Sequence, residues 1–245
     1  MTMIERKRVK KYGVGLSDWL WGIQEWNLDI HNFTLWITGE DVGYYADDFN
    51  RQEPGVEYKM SARVAKNLRI LSNLDPNRTI LIHMKSCGGD WNEGMAIFDA
   101  IKTCPNKVVI LSYTHARSMT SLIFQAADKR VMMPNSYFMI HKGDLGFGGT
   151  YTQFFSFAKW IEKTYKTMID IYVDSMKKNG KFKQWGRGRI AEMIEEEMRK
   201  KEEVYLTPRE AIEWGFADEI FDGDWDKLRV FPQNRNVQSR KRIKR

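Results

Sequence analysis

The chain has 245 residues, 42% of them hydrophobic and 13% aromatic, with a formal net charge of +7. That is enough for one sizeable core with extended ends. No apolar run reaches the length of a membrane span, and the basic start Met1-Thr2-Met3-Ile4-Glu5-Arg6-Lys7-Arg8 has no apolar segment behind it, so neither a membrane span nor a secretory signal is expected. Two cysteines, Cys87 and Cys104, do not make a disulfide framework and point to a reducing, cytoplasmic setting.

The charge is concentrated at the ends. Residues 1–12 carry five Lys/Arg against Glu5, residues 235–245 carry six Lys/Arg and no acid, and removing these ten net charges leaves a body near −3. A tail such as Ser239-Arg240-Lys241-Arg242-Ile243-Lys244-Arg245 has the charge to touch nucleic acid or an acidic partner. A solvated tail is the simpler account, and nucleic-acid contact is not expected.

In chain order, residues 1–32 form an N-terminal extension with two basic clusters and a Trp-rich patch (Trp19, Trp21, Trp26). A lid, an adaptor arm and a docking segment all fit it. Phe33 to Thr38 alternates as a strand. Ser61 reads as a helix N-cap, with Val64, Leu68 and Leu71 on one face and Asp75-Pro76-Asn77 ending the helix. Thr79 to Met84 is a second strand; Ser86-Cys87-Gly88-Gly89-Asp90 then leads into a helix bearing Trp91, Met95, Phe98 and Ile101. The Gly-Gly junction demands a tight turn or a close approach, but its spacing is neither a dinucleotide fingerprint nor a Walker loop.

A third strand covers residues 108–113, and Thr114 to Thr120 leads from it into the apolar helix-like run starting at Leu122. A serine at such a junction, here Ser118, projects its hydroxyl past the strand end, where the first helical amides are left to hold an anion. The same position suits a helix N-cap. The strand Tyr137 to Ile140 ends at His141 and is followed by the Gly-rich segment 143–149. Alternating strands and helices point to βαβ units and a largely parallel sheet. Phe154, Ala158, Ile161, Tyr165, Met168, Tyr172 and Met176 then mark one stripe of a long helix. With Phe155, Phe157 and Trp160 beside it, this helix has more apolar surface than one domain covers, so contact with another subunit is expected. Ala191 to Glu203 reads as a solvated charged helix. Thr207-Pro208-Arg209-Glu210 is a helix start with a capping box, Gly215 fits its stop, and after Ile220 the pattern fades into tail.

Strand ends on one side of a parallel sheet converge, so Ser118 and His141 can meet as nucleophile and base. The amides of Gly88 and Met119 are then placed to stabilise an oxyanion. At these residues the chain resembles the proteolytic subunit of the caseinolytic (Clp) serine protease family. The family's strand–Ser-Pro-Gly-Gly–helix block appears as Met84-Lys85-Ser86-Cys87-Gly88-Gly89, and its Ala-Ser-Met motif as Arg117-Ser118-Met119. Its Leu-Pro-Asn-Ser and Met-Ile-His block appears as Met133-Pro134-Asn135-Ser136 and Met139-Ile140-His141, and its closing capped helix as Thr207 to Asp218. The resemblance covers roughly residues 33–222, a catalytic domain between the N-terminal extension 1–32 and a basic tail 223–245.

The resemblance implies an α/β, crotonase-like ββα superhelix with a protruding handle helix. It implies Ser118 as nucleophile, His141 as base, Gly88 and Met119 as oxyanion hole, and Glu203 where the family has Asp, two residues before the aromatic of its Phe-Leu-Ser/Thr block, here Tyr205. The implied activity is serine endopeptidase cleavage of peptide or protein substrates, with no cofactor and no metal, inside a homo-oligomeric ring, commonly heptameric and stacked in pairs. An ATP-dependent unfoldase partner is also implied, although residues 1–32 do not match the family's axial loop. The departures are Cys87 for Pro, Arg117 for a small residue, Thr120 for Gly and Glu203 for Asp; Glu202 is a lesser substitute for the acid. Arg117 fits either the substrate path or an outward position. Cys87 carries no sign of activation, and His83 alternates within a strand as a core or inter-strand residue. Two alternatives stay open: a non-catalytic ring subunit of the same fold, and an acyl-CoA enzyme.

Overall fold

A computed structural model describes residues 15–39 and 55–231. The basic clusters at residues 1–12 and 235–245 lie outside the described residues.

The Trp-rich patch is helical. Helix α1 (Leu16–Trp26) ends at Asn27 in the left-handed region and returns through β1 (Leu28–Asp29). Asp29 organises this corner: its carboxylate accepts from the Trp19 indole (3.0 Å) and from the amides of His31 and Asn32. Strand β2 (Thr34–Thr38) follows as expected.

Helix α2 (Tyr58–Leu74) starts earlier than its sequence suggests. Its N-cap is Glu57, whose side chain accepts from Lys59 and Met60 amides, and Ser61 lies within the first turn. The reason lies one residue earlier, where Val56 is bridged to Gly89 and fixes where the chain leaves extended geometry. Val64, Leu68 and Leu71 are buried on one face as expected, and Asp75 ends the helix.

Next come β3 (Ile80–Ser86), α3 (Trp91–Thr103), β4 (Val108–Arg117), α4 (Met119–Gln125), β5 (Lys129–Met132) and β6 (Tyr137–Ile140). The deepest residues of α3 are Gly94, Ile97 and Ile101, with Trp91, Met95 and Phe98 packed at the margin. Helix α5 (Tyr151–Lys178) opens with a Thr150–Gln153 capping box. Helix α6 (Arg187–Lys201), β7 (Val204–Leu206), α7 (Pro208–Trp214) and β8 (Glu219–Ile220) complete the regular elements. Thr207 and Glu210 form the expected capping box of α7, and Gly215 stops it at φ 90°.

Among the described residues the strands form one mixed sheet, β1-β2-β3-β4-β5-β8, with β6 branching from the long β4 and carrying β7. Pairing is parallel except for β1–β2 and β6–β7. This is an α/β architecture. Strand β4 can hold two neighbours because it is ten residues long: its first half pairs with β5 and its last residues, His115 to Arg117, pair with β6.

Two regions depart from the sequence reading. Helix α6 is not merely solvated, because Ile190, Ile194 and Met198, spaced four apart, are buried and join the main core. The chain after Ile220 also continues to pack: a 3-10 turn at Lys227–Arg229 buries Leu228 against Leu81, Val109, Leu111 and Val131 on the sheet's second face. Lys129 Nζ donates to the Lys227 and Val230 carbonyls there, and the Arg229 guanidinium donates to Phe33 O, Thr79 O and Thr34 Oγ1.

The long helix is divided along its length. Met168, Ile169, Tyr172, Val173 and Met176 are buried, whereas Tyr151, Phe154, Phe155 and Trp160 near its start are exposed. No helix among the described residues is long and apolar enough to cross a membrane.

Candidate active site

Strand β4 passes into helix α4 through a single residue, Ser118, at φ 51° and ψ −128°. That conformation is strained for a residue with a Cβ and costs about 1–3 kcal/mol, sustained only where the surroundings over-determine it. Here they do. Ser118 N–H donates to Met139 O (3.2 Å), continuing the β4–β6 ladder past the end of β4. Thr120 Oγ1 accepts from Arg117 N–H (3.1 Å) and lies 2.9 Å from Ser86 O and 2.7 Å from Arg117 O. Tyr172 of α5, fully buried, reaches Ser121 Oγ at 2.6 Å, and Ser121 Oγ lies 2.6 Å from Ser118 O.

Ser118 occupies the N-cap position, yet its side chain makes no capping bond. Its Oγ instead lies 2.8 Å from His141 Nε2. The two side chains meet because β4 and β6 are parallel neighbours whose ends are in step, Arg117 opposite Met139. Burial pushes the His141 pKa below its ordinary value; Glu203 and Asp144 oppose that shift and Arg117 adds to it. A neutral imidazole accepting from a serine hydroxyl is the arrangement for general-base activation.

Glu203 lies just before β7, which pairs antiparallel with β6 and sets Val204 opposite Ile140. Its Oε1 is 3.8 Å from His141 Nδ1, and its side chain is 40% exposed. At that separation the carboxylate acts on the imidazole as a nearby charge rather than through a hydrogen bond. Its other oxygen, Oε2, accepts from the Tyr205 phenol. Glu202 stands at the C-cap of α6 at φ 57°.

Gly88 sits at φ 106° against the Ser118 turn: a Cβ placed there would lie 2.6 Å from Ser118 Cβ and 3.0 Å from Met119 N. Met119 is the first residue of α4, so its N–H has no acceptor within the helix. Gly88 is held by its own carbonyl, which accepts from Val56 N–H at 2.5 Å. The five residues expected at the site therefore lie together.

Three further residues contribute through contacts that the sequence did not show. Gly94 gives room to the Met119 side chain, whose Cγ, Sδ and Cε would all overlap a Cβ at that position. Thr120 ties the serine turn to the end of β3. Tyr205, in the sequence only the aromatic that marks the position of Glu203, holds its carboxylate. Arg117 is half-buried at the site; its Nη1 donates to the Tyr137 hydroxyl (3.4 Å) and its charge reaches His141. His83 bonds Tyr113 across strands at 2.8 Å and stacks on Trp36. Among the described residues no group of three or more His, Cys, Asp or Glu converges as a metal site.

A family model described as Clp protease matches residues 52–224. The chain is 29% identical over 171 residues to the ATP-dependent Clp protease proteolytic subunit of Deinococcus radiodurans, covering 68% of this chain and 76% of that protein. It is 27% identical over 168 residues to the ATP-dependent Clp protease proteolytic subunit 2 of Tropheryma whipplei, covering 67% and 86%. With the ATP-dependent Clp protease proteolytic subunit 2 of Thermobifida fusca it shares 28% over 170 residues, covering 67% and 76%.

Proposed function

The chain belongs to the Clp protease family, and on that premise we propose that it is a serine endopeptidase cutting peptide bonds through an acyl-enzyme on Ser118. The observation that carries this reading is the 2.8 Å approach of Ser118 Oγ to His141 Nε2 at a strained strand–helix turn. Ser118 Oγ attacks the scissile carbonyl carbon as His141 Nε2 takes the hydroxyl proton. The oxyanion so formed is held by the Gly88 and Met119 amides. His141 returns the proton to the leaving amine, the C–N bond breaks, and an ester to Ser118 remains. Water, deprotonated by His141, then releases the acid and restores the serine. Glu203 stabilises the imidazolium at each stage by its charge.

The assembly belongs to the same reading. The exposed aromatics at the start of α5, with Leu145 and Phe147 before them, suit contact with another copy of the chain in a ring or stacked double ring. Helix α5 then plays the protruding handle of a crotonase-like ββα superhelix. The names of the relatives carry the words ATP-dependent, and an ATP-driven unfoldase delivering polypeptide is the matching partner, in the cytoplasm.

Intact-mass analysis after fluorophosphonate treatment tests the chemistry. One adduct on wild type and none on Ser118→Ala is expected. No adduct on folded, assembled wild type overturns it in favour of a second reading, a non-catalytic ring subunit, which the 3.8 Å gap between Glu203 and His141 favours.

A further inference from the structure

We infer that Tyr205 is a positioning residue of this site: its phenol fixes the Glu203 carboxylate so that the charge stays beside His141. The inference rests on the reading of Ser118, His141 and Glu203 as a catalytic set and assigns a residue that acts through the acid.

A glutamate has one more rotatable bond than an aspartate, and Glu203 is partly solvated, so its carboxylate has freedom to swing away. Its Oε1 makes no hydrogen bond to the histidine at 3.8 Å. What restrains it is the phenol on Oε2. Residues 203 and 205 project from the same face of the β7 segment because side chains repeat every two residues along extended chain. The ring that carries the phenol is itself braced. Tyr205 packs on Tyr137 of β6 with centroids 5.5 Å apart, and the Tyr137 hydroxyl accepts from Arg117 Nη1 at 3.4 Å. A phenylalanine at 205 keeps that packing and loses only the hydrogen bond.

The consequence falls on the histidine. The charged groups facing His141 are Glu203 ahead of β7, Asp144 in the loop after β6, and Arg117 at the end of β4. Glu203 is the foremost of those favouring the protonated ring. Releasing the carboxylate from Tyr205 removes part of that support, so the imidazole becomes a weaker base and its imidazolium less stable in the transition state. The acid limb of the pH–rate profile then moves to lower pH while the plateau rate drops.

The test is a titration of the His141 ring by NMR, using carbon-13 histidine, in four forms of the full chain: wild type, Tyr205→Phe, Glu203→Gln and the double variant. With four histidines in the chain, His141→Ala identifies the resonance. Tyr205→Phe is expected to lower the His141 pKa by about half a unit, and to add nothing in the Glu203→Gln background. The rate of fluorophosphonate labelling above the titration should fall about fivefold in Tyr205→Phe. An unchanged His141 pKa in Tyr205→Phe, or an equal drop with and without Glu203, overturns the inference. Because the titration needs no turnover, an unlabelled wild type counts against the proposed chemistry and leaves the titration to judge Tyr205.

Discussion

Replacing Gly88 with alanine should damage both the fold and the reactivity proposed for Ser118, and the structure separates the two effects. The first is backbone strain: at φ 106° an alanine pays about 1–2 kcal/mol for the positive φ. The second is overlap, since the new Cβ would sit 2.6 Å from Ser118 Cβ and 3.0 Å from both Ser118 Oγ and Met119 N. Neither neighbour can yield easily, as one is the strained turn residue and the other is backbone; such overpacking adds about 1–3 kcal/mol. Gly223 supplies the control, with φ 93° and open space within 4 Å of where a Cβ would stand. Gly223→Ala should therefore show the strain alone and lower Tm by about 3 °C, against about 10 °C for Gly88→Ala. The two should also differ in fluorophosphonate labelling of Ser118, unchanged in Gly223→Ala and slowed about 100-fold in Gly88→Ala, because a displacement near 1 Å misaligns Oγ and the Met119 amide. Equal losses of Tm with equal labelling rates would refute the close approach of Gly88 to the serine turn.

Three further outcomes follow from the same structure. Ser118→Gly should abolish labelling yet raise Tm by about 2–4 °C, because glycine adopts φ 51° without penalty; a lower Tm would mean the turn is not strained. His83 is held neutral by burial, with Arg229 nearby, and its pKa is lowered to about 4. The stability it confers is complete above its unfolded value and drains away as pH falls from about 6.5 towards 4, about 3 kcal/mol in all. The urea midpoint should thus fall from pH 7 to 6 to 5 in wild type and fall less in His83→Phe, and equal falls would contradict the assignment. Asp218→Ala strands the buried Arg130 guanidinium, which Asp218 grips at 2.7 and 3.0 Å. Breaking such a pair should remove about 3–5 kcal/mol in a thermal melt, with part recovered in Arg130→Met/Asp218→Ala; a loss below about 1 kcal/mol would show that the pair is solvated.

Strands with strong β-branched runs and helices with clear stops were legible in the sequence, since β3, β4, β6 and α7 depend on local pattern and capping chemistry. Ser118 and His141 were legible together because parallel strand ends must converge. Other elements answer to partners far along the chain. Helix α2 begins at Glu57 because Val56 is pinned to Gly89, thirty-three residues away. The stripe Ile190, Ile194, Met198 was masked by the Glu and Lys residues around it, and Leu228, with Trp225 and Phe231 three residues to either side, lies in a charged stretch too short to mark an element. Glu203 came into view only through family resemblance, because a carboxylate in a charged segment carries no mark of its neighbour.

The grip of Arg229 on Phe33 O, Thr79 O and Thr34 Oγ1 spans nearly the whole described chain. During synthesis, the starts of β2 and β3 emerge from the ribosome long before the residue that ties them together. Until Arg229 and Leu228 arrive, the apolar face made by Leu81, Val109 and Leu111 is open to water and to other nascent chains. Completion of the fold therefore waits for the last described residues. A chain ending just short of Leu228 would keep most of its core and carry an unfinished surface, prone to aggregate rather than simply to unfold.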